Sequence, residues 1–301
     1  MIKNKNSIIK KTYKLMPVWL LKLIPDSVFI RLQYYSNFNK FPDLKNPVTF
    51  TEKLQWYKLH YRNPEMKILV DKYTVRNYVK NKGLEHILNE LYFVKDILKP
   101  EDLINLRKPY ILRVTHGSGM NIICRDDENT DIAEVCNKVN NWMEEDHFIF
   151  GREWAYKGVK PRVVCEKYLE DTKQGQLFDY KFYCCNGEPE LIILCSERFS
   201  EEGLVHASFD KDWKPINVQK HYPMSKKEYE CPNVFEEMKD IARTLAGEYP
   251  IMRVDLYWVN GHIIFGELTL YSDSGLVPFK PEDYNRYHGE LIKLKKWTAQ
   301  R

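Results

Sequence analysis

Two runs near the C-terminal end, Met252 to Val259 and His262 to Thr269, are largely apolar and carry Arg253, Asp255 and Glu267 as their charged residues, and Asn260-Gly261 joins them. Acids set in apolar strands need a partner. Magnesium takes one or two carboxylates together with phosphate oxygens, so Asp255 and Glu267 are candidate ligands. A salt bridge from Arg253 to either acid explains the same residues equally well. Strand register separates the two readings. A strict two-residue turn pairs Val254 with Glu267 and sends the acids to opposite faces, whereas a three-residue turn through Val259-Asn260-Gly261 pairs Arg253 with Glu267 and brings Asp255 onto that face. The three-residue, bulged turn is the expectation.

A second group lies upstream. His116-Gly117-Ser118-Gly119-Met120 interrupts two β-rich runs, Tyr110 to Val114 and Asn121 to Cys124, and glycines there let backbone N–H groups approach a phosphate. Arg113 on the entering strand and Lys72 further upstream could add positive charge. Alone, the loop is an ordinary turn and each cation a solvated one; the spacing is neither that of a P-loop nor that of a dinucleotide fingerprint. Glu166-Lys167-Tyr168-Leu169 closes another β-rich run. Neither His116, His221 nor any cysteine forms a nucleophile–base arrangement.

These residues need a scaffold of strands and helices. Asn46 to about Asn105 reads as helical, with Thr51 as a cap and Met66 to Lys82 as one segment. Asp131 to Glu145 reads as a helix, followed by strands at Arg162 to Tyr168, Phe178 to Cys185 and Pro189 to Cys195, the last two turning at Asn186-Gly187. A final helix from Asn233 to Glu248 precedes the terminal hairpin. Antiparallel sheets in two layers with helices on one side fit this order. The division expected is a basic, amphipathic helical segment at 1–40, a helical and mixed subdomain at 41–105, a small lobe at 106–168 and a large lobe at 169–301.

Composition narrows the class. The chain has 301 residues, 44% hydrophobic and 14% aromatic, enough for a sizeable core. A net charge of +4 from 46 basic and 42 acidic residues falls short of a nucleic-acid-binding signature and suits small anionic partners. Seven cysteines without metal spacing point to a reducing cytoplasm. The apolar stretch Met16 to Tyr35 is broken by Lys22, Pro25, Asp26 and Arg31, so no transmembrane helix is expected. The leader Lys3, Lys5, Lys10, Lys11 and Lys14 with Trp19, Leu20, Leu21, Leu23 and Ile24 could rest on the inner face of an anionic membrane, through residues 1–35, or pack on the body.

In order, Asp71-Lys72, the Pro109 to Arg113 strand with its glycine loop, Glu166-Lys167-Tyr168-Leu169, Arg253-x-Asp255 and Glu267-x-Thr269 resemble the ATP-grasp superfamily. Asn46 to Arg76, His116 to Gly119, Asp179-Tyr180-Lys181 and Gly266 to Thr269 look like its TupA-like amidoligase branch, associated with bacterial surface polysaccharides. The likeness covers roughly Phe41 to Tyr287. It implies an α+β fold in which two antiparallel-sheet lobes clamp ATP. Lys72, Arg113 and the loop His116, Gly117, Ser118 and Gly119 would meet its phosphates; the family normally has lysine where Arg113 stands. Glu166, Lys167 and Leu169 would form the hinge, with backbone at Lys167 and Leu169 reading adenine, and Asp179 would stand near the ribose. Asp255, Glu267 and Thr269 would hold magnesium, with Thr269 where asparagine is common. Lys181 and Arg253 would be catalytic, Arg253 stabilising an acyl phosphate or tetrahedral intermediate.

The reaction implied joins a carboxylate to an amine at the expense of ATP, with a uronic acid of a surface glycan and an amino acid as partners. Alternatives are phosphate transfer to a hydroxyl in the same cleft, a glycosyltransferase of the same pathway, and a non-catalytic docking module. Specificity would sit in Ser196 to His206, with Glu197, Arg198, Glu201 and Glu202.

Overall fold

A computed structural model describes residues 16–125, 131–197 and 203–295. The basic leader and Arg198, Glu201 and Glu202 therefore lie outside the described residues. The chain opens with two helices, α1 (Val18–Leu23) and α2 (Asp26–Phe38), followed by α3 (Phe50–His60), α4 (Met66–Val70) and α5 (Val75–Asn81). Helix α3 starts two residues earlier than expected, because Thr49 rather than Thr51 caps it: the Thr49 hydroxyl accepts from the Glu52 amide and Glu52 reaches back to the Thr49 amide. The segment expected as one helix from Met66 to Lys82 breaks between α4 and α5. Asp71 turns the chain there, its Oδ1 accepting the amides of Tyr73 and Thr74 at 2.8 and 2.9 Å.

The first sheet contains β1 (Leu91–Lys95), β2 (Tyr110–Val114), β3 (Asn121–Cys124) and β4 (Val163–Lys167), antiparallel in the order β1-β4-β2-β3. The small lobe thus begins at 91, not 106: β1 was not visible in the sequence pattern and pairs with β4. Helix α6 (Ile132–Met143) covers this sheet with Val135, Cys136, Val139 and Met143, one stripe of a helix capped by Asp131. A short helix, α7 (His147–Gly151), and a tight turn at Trp154–Tyr156 lead back to β4.

The second sheet has five antiparallel strands, ordered β7-β6-β5-β8-β9: β5 (Phe178–Cys185), β6 (Glu188–Ser196), β7 (Val205–Asp210), β8 (Ile251–Val259) and β9 (His262–Thr269). Asn186 and Gly187 turn β5 into β6 with φ of +52° and +90°, the left-handed pair that a two-residue hairpin requires. Helix α8 (Phe235–Ala246) packs on it through Phe235, Met238, Ile241, Ala242 and Leu245. It is not the final helix, since α9 (Glu282–Leu291) follows the hairpin and packs on α3.

Phe50, Leu54, Tyr57, Leu69, Val75 and Val79 from α3 to α5 join the buried cluster of the five-stranded sheet, whereas the four-stranded sheet has its own cluster around Tyr110, Leu112, Val139 and Val163. There is accordingly no separate core for residues 41–105; those helices belong to the large lobe. No described helix is long and apolar enough to cross a membrane.

Candidate active site

Between the two sheets lies a cleft of about 530 Å³. The small lobe contributes Arg113, Gly117, Ser118, Gly119 and Glu166 to its wall. The large lobe contributes Asp179, Lys181, Arg253, Asp255, Glu267 and Thr269, and Lys72 enters from the break between α4 and α5.

The terminal hairpin brings its two acids together by a route the sequence did not reveal. Its turn is the strict two-residue one, with Val259 opposite His262 and φ of +52° and +90° at Asn260 and Gly261. The extra residue sits instead in mid-strand: Leu256 pairs with Phe265 and Asp255 with Glu267, leaving Gly266 as the bulge. A Cβ on Gly266 would lie 2.9 Å from both the Asp255 carbonyl oxygen and a Tyr257 ring carbon, so only glycine fits. The bulge flips the second half of β9, and Asp255 and Glu267 become direct neighbours on the cleft face.

Around this pair the charges interlock. Arg253 forks onto Asp255, Nε to Oδ1 at 2.6 Å and Nη2 to Oδ2 at 2.7 Å, and Nη2 also donates to Glu267 at 2.9 Å. Lys181 donates to Asp179 at 2.8 Å and to Asp255 at 2.6 Å. Burial works against the Lys181 ammonium, but Asp179 and Asp255 hold its pKa well above the usual lysine value. Burial pushes the Glu267 carboxyl up, yet Arg253, Lys72, Lys181 and Arg113 outweigh it and bring it down to about 2.

The donor set suits a hard divalent cation. It is all oxygen: two adjacent carboxylates, one with Oε2 facing Arg113 only across 3.7 Å, and the Thr269 hydroxyl, whose proton goes to Glu267 Oε1 at 2.8 Å. Among the described residues no group of three or more His, Cys, Asp or Glu side chains forms a metal cage. A cation held here would complete its shell with ligand and water oxygens, which is magnesium's habit.

The opposite wall is positive and loop-bound. Lys72 reaches the glycine loop twice, through its amide to the Thr115 carbonyl at 3.3 Å and through its ammonium to the Gly117 carbonyl. Burial, with Arg113 nearby, lowers the Lys72 pKa to about 8. Glu166 pairs with Arg113 at 3.3 Å and with Arg76 at 3.1 Å. Arg76, on the first turn of α5, was not singled out in the sequence. Nor was Arg162, which holds Asp71 at 2.8 Å and so fixes the break that aims Lys72.

Three expected residues do not line the cleft. His116 is buried, and its Nε2 donates to the Glu145 carbonyl at 2.8 Å, a structural bond. Lys167 gives its amide to the Glu90 carbonyl at 3.0 Å, and its own carbonyl accepts from Asn89 at 2.8 Å. Leu169 lies beyond the end of β4, half-buried. Sequence reasoning also missed Glu153 and His147, which do line the cleft, and Asp273, which Lys220 holds at 2.7 Å.

Two sheets facing across a cleft, a glycine loop tied to a lysine on one wall and paired acids on the other, agree with the family-level comparison. The sequence profile of TupA-like ATP-grasp proteins matches residues 52–293. The chain belongs to the TupA-like ATP-grasp family. Among solved structures, this ATP-grasp chain is similar to the D-alanine–D-alanine ligase of Bacillus anthracis, with 17% identity and a TM-score of 0.41 over 67% of this chain and 57% of that one. It is similar also to the D-alanine–D-alanine ligase of Helicobacter pylori, with 16% identity and a TM-score of 0.43 over 81% and 68%. For the phosphoribosylamine–glycine ligase of Thermotoga maritima the values are 12% and 0.40 over 70% and 50%. The chain thus spans little more than half the length of the first of these. No curated protein sequence matches this ATP-grasp chain.

Proposed function

We propose that the protein is an ATP-dependent carboxylate–amine ligase that forms an amide through an acyl phosphate. One observation carries the reading: the Asp255–Glu267 pair, made adjacent by the Gly266 bulge, faces the Lys72-tethered glycine loop across a single cleft. Magnesium-bound ATP would set its phosphates between these walls, the metal neutralising phosphate charge at Asp255, Glu267 and Thr269. Lys72, Arg113 and the amides of Gly117 to Gly119 orient the terminal phosphate. Arg253 and Lys181, freed from part of their pairing with Asp255 once ligands supply the countercharge, hold the acyl phosphate and the oxyanion that follows. No side chain need act as a nucleophile; the substrate carboxylate attacks the phosphate, and the amine then attacks the acyl carbon.

The family likeness supports a uronic acid of a bacterial surface glycan or its precursor as the carboxylate and an amino acid as the amine. At the surface, Trp19 and Leu23 on α1 are 65% and 70% exposed, which supports peripheral contact with an anionic membrane face. The test of the ligase is ADP release from magnesium-ATP with nucleotide-linked uronic acids and mixed amino acids, products being weighed by mass spectrometry and Glu267→Ala serving as control. An amide-mass product absent from the variant is expected. Turnover of the nucleotide sugar without ADP, equal in both proteins, would replace the ligase by a glycosyltransferase.

A further inference from the structure

The ligase chemistry just described gives Glu153 of the cleft no task. Glu153 precedes the tight turn Trp154–Tyr156, and its carboxylate lines the cleft although the side chain is only 9% exposed. Among the described residues none donates a hydrogen bond to that carboxylate; the one group paired with it is His147, whose Nε2 stands 3.8 Å away. A carboxylate set this deep without a protein donor keeps its open side to the cleft, where water or an incoming cation meets it. Nearby cations are already engaged: the ammonium of the fully buried Lys58 donates to Ser274 at 2.6 Å, and that of Lys72 to the glycine loop.

His147 is held for a role beside Glu153. It is the first residue of α7, its ring packs edge-on against Tyr156 at 4.6 Å, and its Nδ1 lies close to Gly117. The charged and titratable groups around it are Glu153, Lys72, His116, Glu145 and Tyr156. Burial lowers its pKa, and Lys72 and His116 add to this against the pull of Glu153, so the ring is neutral at neutral pH and carries a free lone pair. Gly151 leaves the space above Glu153 open, since a Cβ there would come within 3.2 Å of its carboxylate.

We infer that Glu153 and His147 form the amine subsite of the ligase, Glu153 receiving the substrate ammonium and His147 taking its proton. This rests on the ligase reading. The ammonium gives one proton to His147 Nε2, and the freed nitrogen lone pair forms the C–N bond to the acyl carbon. The tetrahedral adduct then collapses with cleavage of the bond from carbon to the phosphate oxygen. The second nitrogen proton leaves with the phosphate as hydrogen phosphate, and His147 returns its proton to solvent.

Hydroxylamine is uncharged at neutral pH and traps acyl phosphates, so it separates formation of the intermediate from capture of an ammonium. The probes are UDP-glucuronate and UDP-galacturonate as carboxylates, with hydroxylamine or a panel of amino acids as nucleophile. Glu153→Gln should raise KM for the amino acid that wild type uses by roughly 10- to 100-fold, the worth of a hydrogen bond to a charged group, while hydroxamate formation stays within about threefold. His147→Gln should lower kcat with that amino acid by roughly 100-fold and leave its KM and the hydroxamate rate in place. Glu153→Asp, which keeps the charge, should recover part of the KM and covers the case in which Glu153→Gln does not fold. An unchanged amino-acid KM, or equal loss of hydroxamate and amide, overturns the subsite but spares the ligase. Wild type that releases no ADP and forms no hydroxamate with either carboxylate overturns the ligase itself.

Discussion

Asp255 stands directly across the β8–β9 ladder from Glu267, and the residue that puts it there is the bulged Gly266 between Phe265 and Glu267. Without that extra residue the two carboxylates would face opposite sides of the sheet.

Gly266→Ala should therefore harm both fold and site. The added methyl meets the Asp255 carbonyl and the Tyr257 ring, and overpacking of this kind costs about 1–3 kcal/mol. Thermal unfolding should drop, and ATP affinity in the surviving folded protein should fall with it. A variant as stable and as tight-binding as wild type would show that the strands relax without moving the acids.

Glu267→Gln should reduce ADP formation by roughly 100-fold or more, in line with loss of a ligand to the cation that neutralises the phosphate charge. Removing divalent metal with a chelator should reproduce that loss in wild type, and magnesium should restore it. Thr269→Ala, which takes away the hydroxyl bonded to Glu267, should raise the magnesium concentration needed for half-maximal rate while leaving stability within about 0.5 kcal/mol, the usual range for substitutions that touch no core packing.

The proposed role of Lys72 at the phosphates sets a pH limit on nucleotide binding. Its pKa is lowered to about 8, so the ammonium is lost as pH rises through that value and ATP affinity of the free protein should weaken above it. Lys72→Arg keeps its charge and should bind with little change across pH 7 to 9 on the scale of about one pKa unit around that limit. Titration calorimetry with a non-hydrolysable ATP analogue would read both curves; a flat wild-type profile would contradict the assignment.

Lys58 gives the sign of a stability effect. Burial lowers its pKa to about 8 from an ordinary 10.5, so between those values the unfolded chain binds more protons and stability rises with pH. Relative to Lys58→Met, wild type should gain stability over that window and show no further gain below its lower edge. Urea midpoints measured in parallel for the two proteins would check this.

Trp19→Asp with Leu23→Asp should abolish sedimentation of the protein with vesicles rich in anionic lipid while sparing ADP formation. Equal pelleting of wild type and variant would remove α1 from any membrane role.

Much of this was legible in the sequence because it is local. Asn186-Gly187 and Asn260-Gly261 announced their hairpins by backbone chemistry alone, and the strands at Phe178 and His262 began where their apolar runs did. The Gly266 bulge was not legible, since alternation on either side reads equally well in both registers and only the tertiary contacts with the Asp255 carbonyl and the Tyr257 ring require glycine. Arg76, Arg162, Glu153 and His147 were missed for a different reason. Arg76, Glu153 and His147 reach the cleft, and Arg162 acts on it through Asp71, from a helix, strand start or turn that carries no motif of its own, and a lone charge in a polar stretch looks like any solvated one. The extent of the N-terminal subdomain failed likewise: helices α3 to α5 look self-sufficient until the sheet they cover is known.

That shared core gives Lys72 a double allegiance. Its flanking helices are rooted in one lobe, while its amide and ammonium hold the loop of the other, and Arg113 reaches across to Glu267 as well. The two halves of the molecule are thus already joined by the groups that an incoming triphosphate would claim. On the proposed reading nucleotide is admitted by exchange of partners rather than by filling a vacant slot, so its association rate should respond to the strength of these internal ties as much as to diffusion, and loosening them should speed both arrival and departure.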